Sequence, residues 1–219
     1  MKTEPGLRER KKQQTRRRIA DTAIGLFAER GFDHVPVAEI ARRAEVSEAT
    51  VFNYFPAKED LVYDGMVAFE ASLLDAVRER EPGVSVFDAF RDFLVRPRGA
   101  LADRDPAAMG RVATAARITA GSGALRARER QNFDEFTAEL AELVADEAGA
   151  RPDDLEAWVV ANALMGVNRA MKESVHRAAL AGRGGKRVAD RVLADAHRAL
   201  DVLERGLGAQ LGTPGPRQS

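Results

Sequence analysis

Apolar side chains recur at three- and four-residue spacing along most of this chain, and the runs are punctuated by Gly and Pro. Ile19, Ala23, Leu26 and Phe27 define one face of a first helix over about 15–30, which Gly31 can close with a left-handed residue. Val37, Ile40, Ala41 and Ala44 make the stripe of a short second helix. The pattern breaks at Glu45-Val46. Ser47 is placed to cap a third helix that carries Val51 and Phe55 inward and stops before Pro56. Leu61, Val62, Met66, Phe69, Leu73 and Val77 predict a long helix over about 58–80, ended by Glu81-Pro82-Gly83. Ser85 can cap a helix of Val86, Phe87, Phe90, Phe93 and Leu94. Asp105-Pro106 opens another, through Met109, Val112, Ala116 and Ile118, and Gly121-Ser122-Gly123 reads as a turn. A helix over about 124–148 follows, then one opened by Pro152-Asp153 and running to about Leu180. The last, over about 187–211, repeats Leu193, Ala196, Leu200, Leu203 and Leu207 at the a/d spacing of a helix-pairing seam. No stretch alternates as a strand would. The expected fold is all-α, about nine helices, with residues 212–219 disordered.

The third helix has an unusual outer face. Glu48, Ala49, Thr50, Asn53 and Tyr54 are left outside, a set that is small, polar and aromatic with no Lys or Arg. Such a face suits the DNA major groove, where Asn and Thr bond base edges and Ala or a Thr methyl touches a thymine methyl. An ordinary helix hairpin with a solvated face fits the same pattern.

Charge placement favours the first of these. The chain is neutral overall, yet residues 1–58 carry 12 Lys/Arg against 8 Asp/Glu. The excess sits in Arg8, Arg10, Lys11, Lys12, Arg16, Arg17 and Arg18. A basic arm leading into such a helix pair suggests phosphate contacts, although residues 1–7 read best as a solubilising tail. Cysteine is absent, which removes disulfides, thiolate chemistry and Cys-based metal sites and is compatible with a reducing cytoplasm. No secretory signal is expected, and the nearly apolar run 157–167 is too short to span a bilayer. His34, His176 and His197 have no partner at metal-ligand spacing, and no nucleophile elbow, Walker loop or dinucleotide fingerprint occurs. Neither an enzyme nor a cofactor is expected.

Residues 20–32 (A-D-T-A-I-G-L-F-A-E-R-G-F), 37–44 (V-A-E-I-A-R-R-A) and 46–61 (V-S-E-A-T-V-F-N-Y-F-P-A-K-E-D-L) resemble the DNA-binding domain of the tetracycline-repressor (TetR) family. The resemblance implies a flexible basic arm over 1–14, a helix-turn-helix DNA-binding domain of three helices over 15–60, and a helical ligand-binding and dimerisation domain over 61–211. It implies that Ala49, Thr50 and Asn53 read bases while Arg17, Ser47, Tyr54 and Lys58 hold phosphates of a double-stranded operator. Three departures stand out: Pro36 where Ser or Thr is common, Glu45 where Gly is usual, and Phe52 where many relatives carry Tyr. A non-Gly residue at position 45 costs about 1 kcal/mol or more if the turn keeps a positive φ.

Residues 78–90, 123–130 and 141–157 are similar to the subgroup whose C-terminal domain is acyl-CoA-like ligand-binding, the mycofactocin-regulator type. A bulky acyl thioester is therefore one expected effector, and a hydrophobic drug-like or aromatic molecule another. Phe90, Met109, Arg117, Phe136, Asn162, Met165 and Arg169 are the candidate lining, apolar walls with an Arg or Asn for a polar head. An ion pair of Arg117 or Arg169 with Glu156 or Glu173 would serve structure instead. The family pairs its last two helices with those of a second subunit. Ala161, Gly166, Ala170 and the leucine seam fit a homodimer on a two-fold site. The expected activity is ligand-responsive transcriptional regulation in the cytoplasm, usually repression. The alternative is a helical dimer that binds a small molecule or partner without specific DNA binding.

Overall fold

The structure, a computed structural model, describes residues 6–102, 107–151 and 153–211, without the side chains of residues 7 and 207–211. Residues 1–5 of the expected arm, the Asp105-Pro106 helix start, Pro152, the Leu207 side chain and the 212–219 tail lie outside the described residues. Among them are nine α-helices and two short 3-10 turns, with no strand. The helices are α1 (Leu7–Arg30), α2 (Val37–Arg43), α3 (Glu48–Tyr54), α4 (Asp60–Arg78), α5 (Val86–Leu94), α6 (Ala107–Gly121), α7 (Gly123–Ala148), α8 (Leu155–Leu180) and α9 (Lys186–Leu211). The all-α expectation holds.

Local chemistry explains most helix ends. Ser47 Oγ accepts from Thr50 N at 3.0 Å, and Ser85 Oγ accepts from Asp88 N at 3.0 Å. Asp154, not Asp153, caps α8, its Oδ1 accepting from Glu156 N and Ala157 N. Pro36 is the N-cap of α2 with φ −75° and ψ 150°, one position before the first helical residue Val37. Helices α2, α7 and α8 close with the same paired motif. Val46 N bonds Ala41 O and Glu45 N bonds Arg42 O. Ala150 N bonds Ala145 O and Gly149 N bonds Asp146 O. Arg183 N bonds Ala178 O and Gly182 N bonds Ala179 O. The left-handed residue is Gly149 (φ 63°), Gly182 (φ 67°) and, for α2, Glu45 (φ 54°).

One correction concerns the start of the chain. Helix α1 begins at Leu7, so residues 7–14 are helical and not a flexible arm. Lys, Arg and Gln are good helix formers, and Gln13 bonds Glu9 one turn back at 3.1 Å.

The chain forms two compact units. The first is Met1–Val67 with Thr114–Glu129, and the second is Ala68–Ala113 with Arg130–Ser219. The 114–129 segment thus joins a unit that 15–60 alone was expected to form. Its side chains Ile118 and Leu125 complete a core of Ile19, Leu26, Phe27, Phe32, Ile40, Val51, Phe55, Leu61 and Tyr63. In the second unit Leu73, Leu74, Val77, Phe87, Phe90, Leu94, Leu140, Leu164, Met165 and Leu200 share one core. Burial of such side chains stabilises each unit by about 1.5–3 kcal/mol per fully buried residue.

The last helix is engaged in part within its own chain. Its seam packs inside the same chain, against α5 and α8, with Ala196 and Leu200 in the core and Leu203 against it. Outward apolar side chains occur on both of the last two helices: Leu155 (77 % exposed), Val159 (54 %) and Trp158 (37 %) on α8, and Val202 (59 %) on α9. Ala161 is fully buried within the unit, whereas Gly166 and Ala170 face out. In α9 the core of its own chain takes the Ala196, Leu200 and Leu203 part of the apolar face and leaves Val202 outside.

Candidate nucleic-acid interface

Helix α3 is held by its inner face. Val51 and Phe55 are each 1 % exposed, and the α2–α3 turn is pinned by the paired bonds of Glu45 and Val46. The same packing leaves Glu48, Ala49, Phe52 and Asn53 exposed and Thr50 and Tyr54 half-buried. Ser47 and Thr50 are tied together. Beyond the backbone cap, Ser47 Oγ lies 2.8 Å from Thr50 Oγ1, so these hydroxyls also set the start of α3.

Arg16 organises the far end of that helix. Its Nη1 donates to Tyr54 O at 2.8 Å, its Nε to Asp64 Oδ1 at 2.8 Å, and its guanidinium lies 4.6 Å from the centre of the Phe55 ring. One cation thereby joins α1, the C-terminus of α3 and the start of α4, where the free carbonyls of α3 attract positive charge. Arg17, one residue on, is exposed. Lys58 has a different setting from the phosphate anchor expected. Its Nζ donates to Phe32 O at 2.7 Å and sits 4.3 Å from the centre of the Phe32 ring. Desolvation lowers its pKa below the usual lysine value, against the opposing fields of Asp33 and Glu59. Lys58 ties the start of α4 to the loop after α1.

The 114–129 segment is joined by polar contacts that no local pattern announces. Tyr63 OH donates to Leu125 O at 2.8 Å, Ser122 Oγ donates to Asp33 Oδ1 at 3.0 Å, and Arg128 Nη2 donates to Asp60 Oδ1 at 2.9 Å. Burial pushes the Tyr63 phenol up to about 12. Each joins residues more than 60 positions apart, so only the fold brings them together.

The candidate ligand residues do not converge as one set. Phe90 and Met165 lie in the second unit's core with Phe136 against it. Met109 packs on the α8–α9 loop, where a Cβ at Gly184 would sit 2.9 Å from its Cγ. Asn162 is exposed and donates to Trp158 O at 2.8 Å. Arg169 is exposed with its guanidinium 5.4 Å from the centre of the Phe133 ring, not paired with Glu156 or Glu173 as weighed. Arg117 belongs to the other unit, is exposed, and reaches Thr114 Oγ1 at 3.4 Å. Sequence reasoning missed Asn132. It is 2 % exposed, and its Nδ2 has no hydrogen-bond acceptor among the described residues. Its place four and eight residues before Phe136 and Leu140, on the buried face of α7, was the available signal. Among the described residues no cluster of three or more His, Asp or Glu could hold a metal ion, and no helix is long and apolar enough to cross a membrane.

A capped recognition helix behind a short helix and a tight turn, on a three-helix core, is the helix-turn-helix arrangement of DNA-binding proteins. Residues 19–63 match the bacterial regulatory proteins of the tetR family, and residues 84–208 match the MftR C-terminal domain. The chain belongs to the tetR family of bacterial regulatory proteins. It is 32 % identical over 155 residues to the transcriptional regulator TcmR of Streptomyces glaucescens, covering 68 % of this chain and 67 % of that protein. It is 27 % identical over 158 residues to MftR of Mycobacterium tuberculosis, a protein named for regulation of mycofactocin biosynthesis, covering 72 % of this chain and 78 % of that one. Among solved structures, a TetR-family regulator of Mesorhizobium loti superposes with a TM-score of 0.51 at 16 % identity, covering 89 % of this chain and 96 % of its own. The fatty acid degradation regulator FadR of Bacillus halodurans gives 0.51 at 17 %, covering 90 % and 96 %. At these identities the structural likeness is one of fold. The matched families and relatives are transcriptional regulators, not enzymes.

Proposed function

We propose that this chain is a ligand-responsive transcriptional repressor, a homodimer on a near-palindromic operator, acting in the cytoplasm. The observation that carries this is the outward face of α3, exposed at Ala49 and Asn53 while Val51 and Phe55 lock the helix from behind. Ala49, Thr50 and Asn53 read base edges. Arg17, Ser47 and Tyr54 hold phosphates that fix the register. Lys58 acts from within, by holding α4 on Phe32 O.

Two reading heads need two subunits. The exposed Leu155, Trp158 and Val159 of α8, continued by Gly166 and Ala170, support pairing through the last two helices. A small hydrophobic or acyl-CoA-like molecule is the effector. The apolar side chains Phe90, Phe136 and Met165 and the unpaired amide of the buried Asn132 support it. A carbonyl such as that of a thioester would satisfy that amide. Helices α4, α6 and α7 contribute residues to both units. The effector releases DNA only in so far as it binds the two states with different affinity.

The test is fluorescence anisotropy of DNA from upstream of the protein's own gene and of operators from a genome-wide binding selection, with and without a panel of acyl-CoA esters. Binding above random DNA and release by an ester are expected. Specific binding that no ester reverses removes the acyl-CoA effector and keeps the repressor. Failure of every selected sequence to outbind random DNA refutes the repressor, leaving the helical binding dimer without specific DNA recognition.

A further inference from the structure

The first three turns of α1 form a cationic strut with no core beneath it. The first core residue of the unit is Ile19, yet the helix begins at Leu7, and Arg10 N already bonds Gly6 O at 3.0 Å. Arg8, Arg10, Lys11 and Lys12 are all exposed, with Glu9 the one acidic residue among the described residues before Asp21. The strut precedes residues 19–63, the segment that matches the tetR family.

Helical spacing gives the strut a direction. Arg8, Lys12 and Arg16 are successive members of one i, i+4 row. Arg16 fixes where that row points, since it donates to Tyr54 O at the C-terminus of α3 and packs on Phe55. At a rise of about 1.5 Å per residue, Lys12 and Arg8 continue the row roughly 6 and 12 Å past that contact. The other end of α1 lies beside the 114–121 segment of α6, for Phe27, Ala28, Arg30, Thr114, Arg117 and Ile118 line one recess of about 370 Å³. The cationic end therefore projects from the α3 end of the unit.

We infer that Arg8 and Lys12 form a second DNA contact, a preformed helical strut on the duplex phosphates flanking the half-site that α3 reads. This rests on the DNA-binding function proposed above. The ligand chemistry is a row of phosphates spaced at several ångströms, matched by long cations one helical turn apart. Because the contact is with backbone, it adds affinity and salt sensitivity without sequence preference. Because the strut is already helical, little ordering entropy opposes it.

The experiment compares the intact chain, the Arg8→Ala/Lys12→Ala double variant and a charge-matched Arg187→Ala/Arg191→Ala control on α9, titrated over a series of salt concentrations. Alanine preserves the helix, which circular dichroism checks. On the selected operator with long flanks, the strut variant should have a log K against log[salt] slope shallower by roughly 2–4, about 0.9 per lost phosphate over two subunits. Across a fourfold salt range that is a roughly 15- to 250-fold smaller loss of affinity. Trimming the flanks should weaken the intact chain and leave the strut variant unchanged. A slope equal to that of the intact chain, or an equal change in the α9 control, overturns the inference, the latter by assigning the effect to net charge. If the intact chain prefers no operator, the α3 assignment fails separately, and the strut is still judged from its slope on random duplex. Equal slopes on random duplex would then overturn it as well.

Discussion

Glu45 is the only non-Gly residue with a positive φ among the described residues, at 54°. It occupies the place that Gly149 and Gly182 hold at the ends of α7 and α8, in the same pair of backbone hydrogen bonds. One molecule thus contains a matched comparison, in which the motif is built twice with Gly and once with Glu. For an L-residue with a Cβ the left-handed region costs about 1–2 kcal/mol. Glycine returns roughly 0.5–1 kcal/mol of that through the larger entropy of its unfolded chain. The difference predicts that Glu45→Gly stabilises the protein by about 0.5–1 kcal/mol, or about 1–4 °C in Tm for a chain of this size. The side chain is exposed, so little contact energy is at stake. Glu45→Ala is the decisive control, because alanine keeps the Cβ and removes everything beyond it. It should be neutral within about 0.5 kcal/mol, and Glu45→Asn should fall between Ala and Gly. The assay is urea denaturation followed by circular dichroism, with the slope on denaturant expected to stay constant. If Glu45→Gly proved neutral or destabilising, or Ala matched Gly, the backbone account would be wrong and side-chain contacts would govern the turn.

Four further outcomes are expected. Asn53→Ala should weaken operator binding while the dimer persists in sedimentation, and unchanged selectivity would remove Asn53 from the base-reading set. Tyr63→Phe should lose about 1 kcal/mol at neutral pH through the bond to Leu125 O. The folded Tyr63 ionises near 12 instead of 10, so its contribution is complete below pH 10 and is lost as the pH rises from 10 through 12; the Phe variant should show a flatter alkaline fall in stability. Trp158→Glu should shift the protein towards monomer in light scattering at micromolar concentration, and an unaltered mass would refute pairing through α8. Gly184→Ala should cost about 1–3 kcal/mol by overpacking against Met109, and the cost should shrink in a Met109→Ala background, as a double-mutant cycle would read.

What was legible in the sequence was local. Ser47, Val51 and Phe55 announced α3 because a cap and a four-residue repeat are contained within nine residues, and each does in the structure what its type suggests. The strain at Glu45 was legible for the same reason. The long-range pairs were not. Nothing near Tyr63 indicates Leu125, and nothing near Asp33 indicates Ser122, because loop closure over such separations is set by the whole fold. The α9 seam was ambiguous for a subtler reason. An a/d stripe shows that a helix has a partner, not whether the partner is its own chain or a copy, and here Ala196, Leu200 and Leu203 pack within their own chain. Arginine was over-read. Arg117 and Arg169 sit near apolar residues in sequence, but long side chains carry their charge to solvent while their stems cover apolar surface.

Helix α3 separates two sets of residues that many functional elements merge. Val51 and Phe55 carry the fold, while Glu48, Ala49, Phe52 and Asn53 are exposed. Surface substitutions away from caps and core cost about 0.5 kcal/mol or less. A duplicated copy of this gene could therefore change those four positions almost without thermodynamic penalty and drift to new target sites while its scaffold stayed intact. Thr50 is the brake on that drift, for its backbone and hydroxyl both engage Ser47. Diversity among descendants should accordingly concentrate on either side of position 50 and spare the position itself.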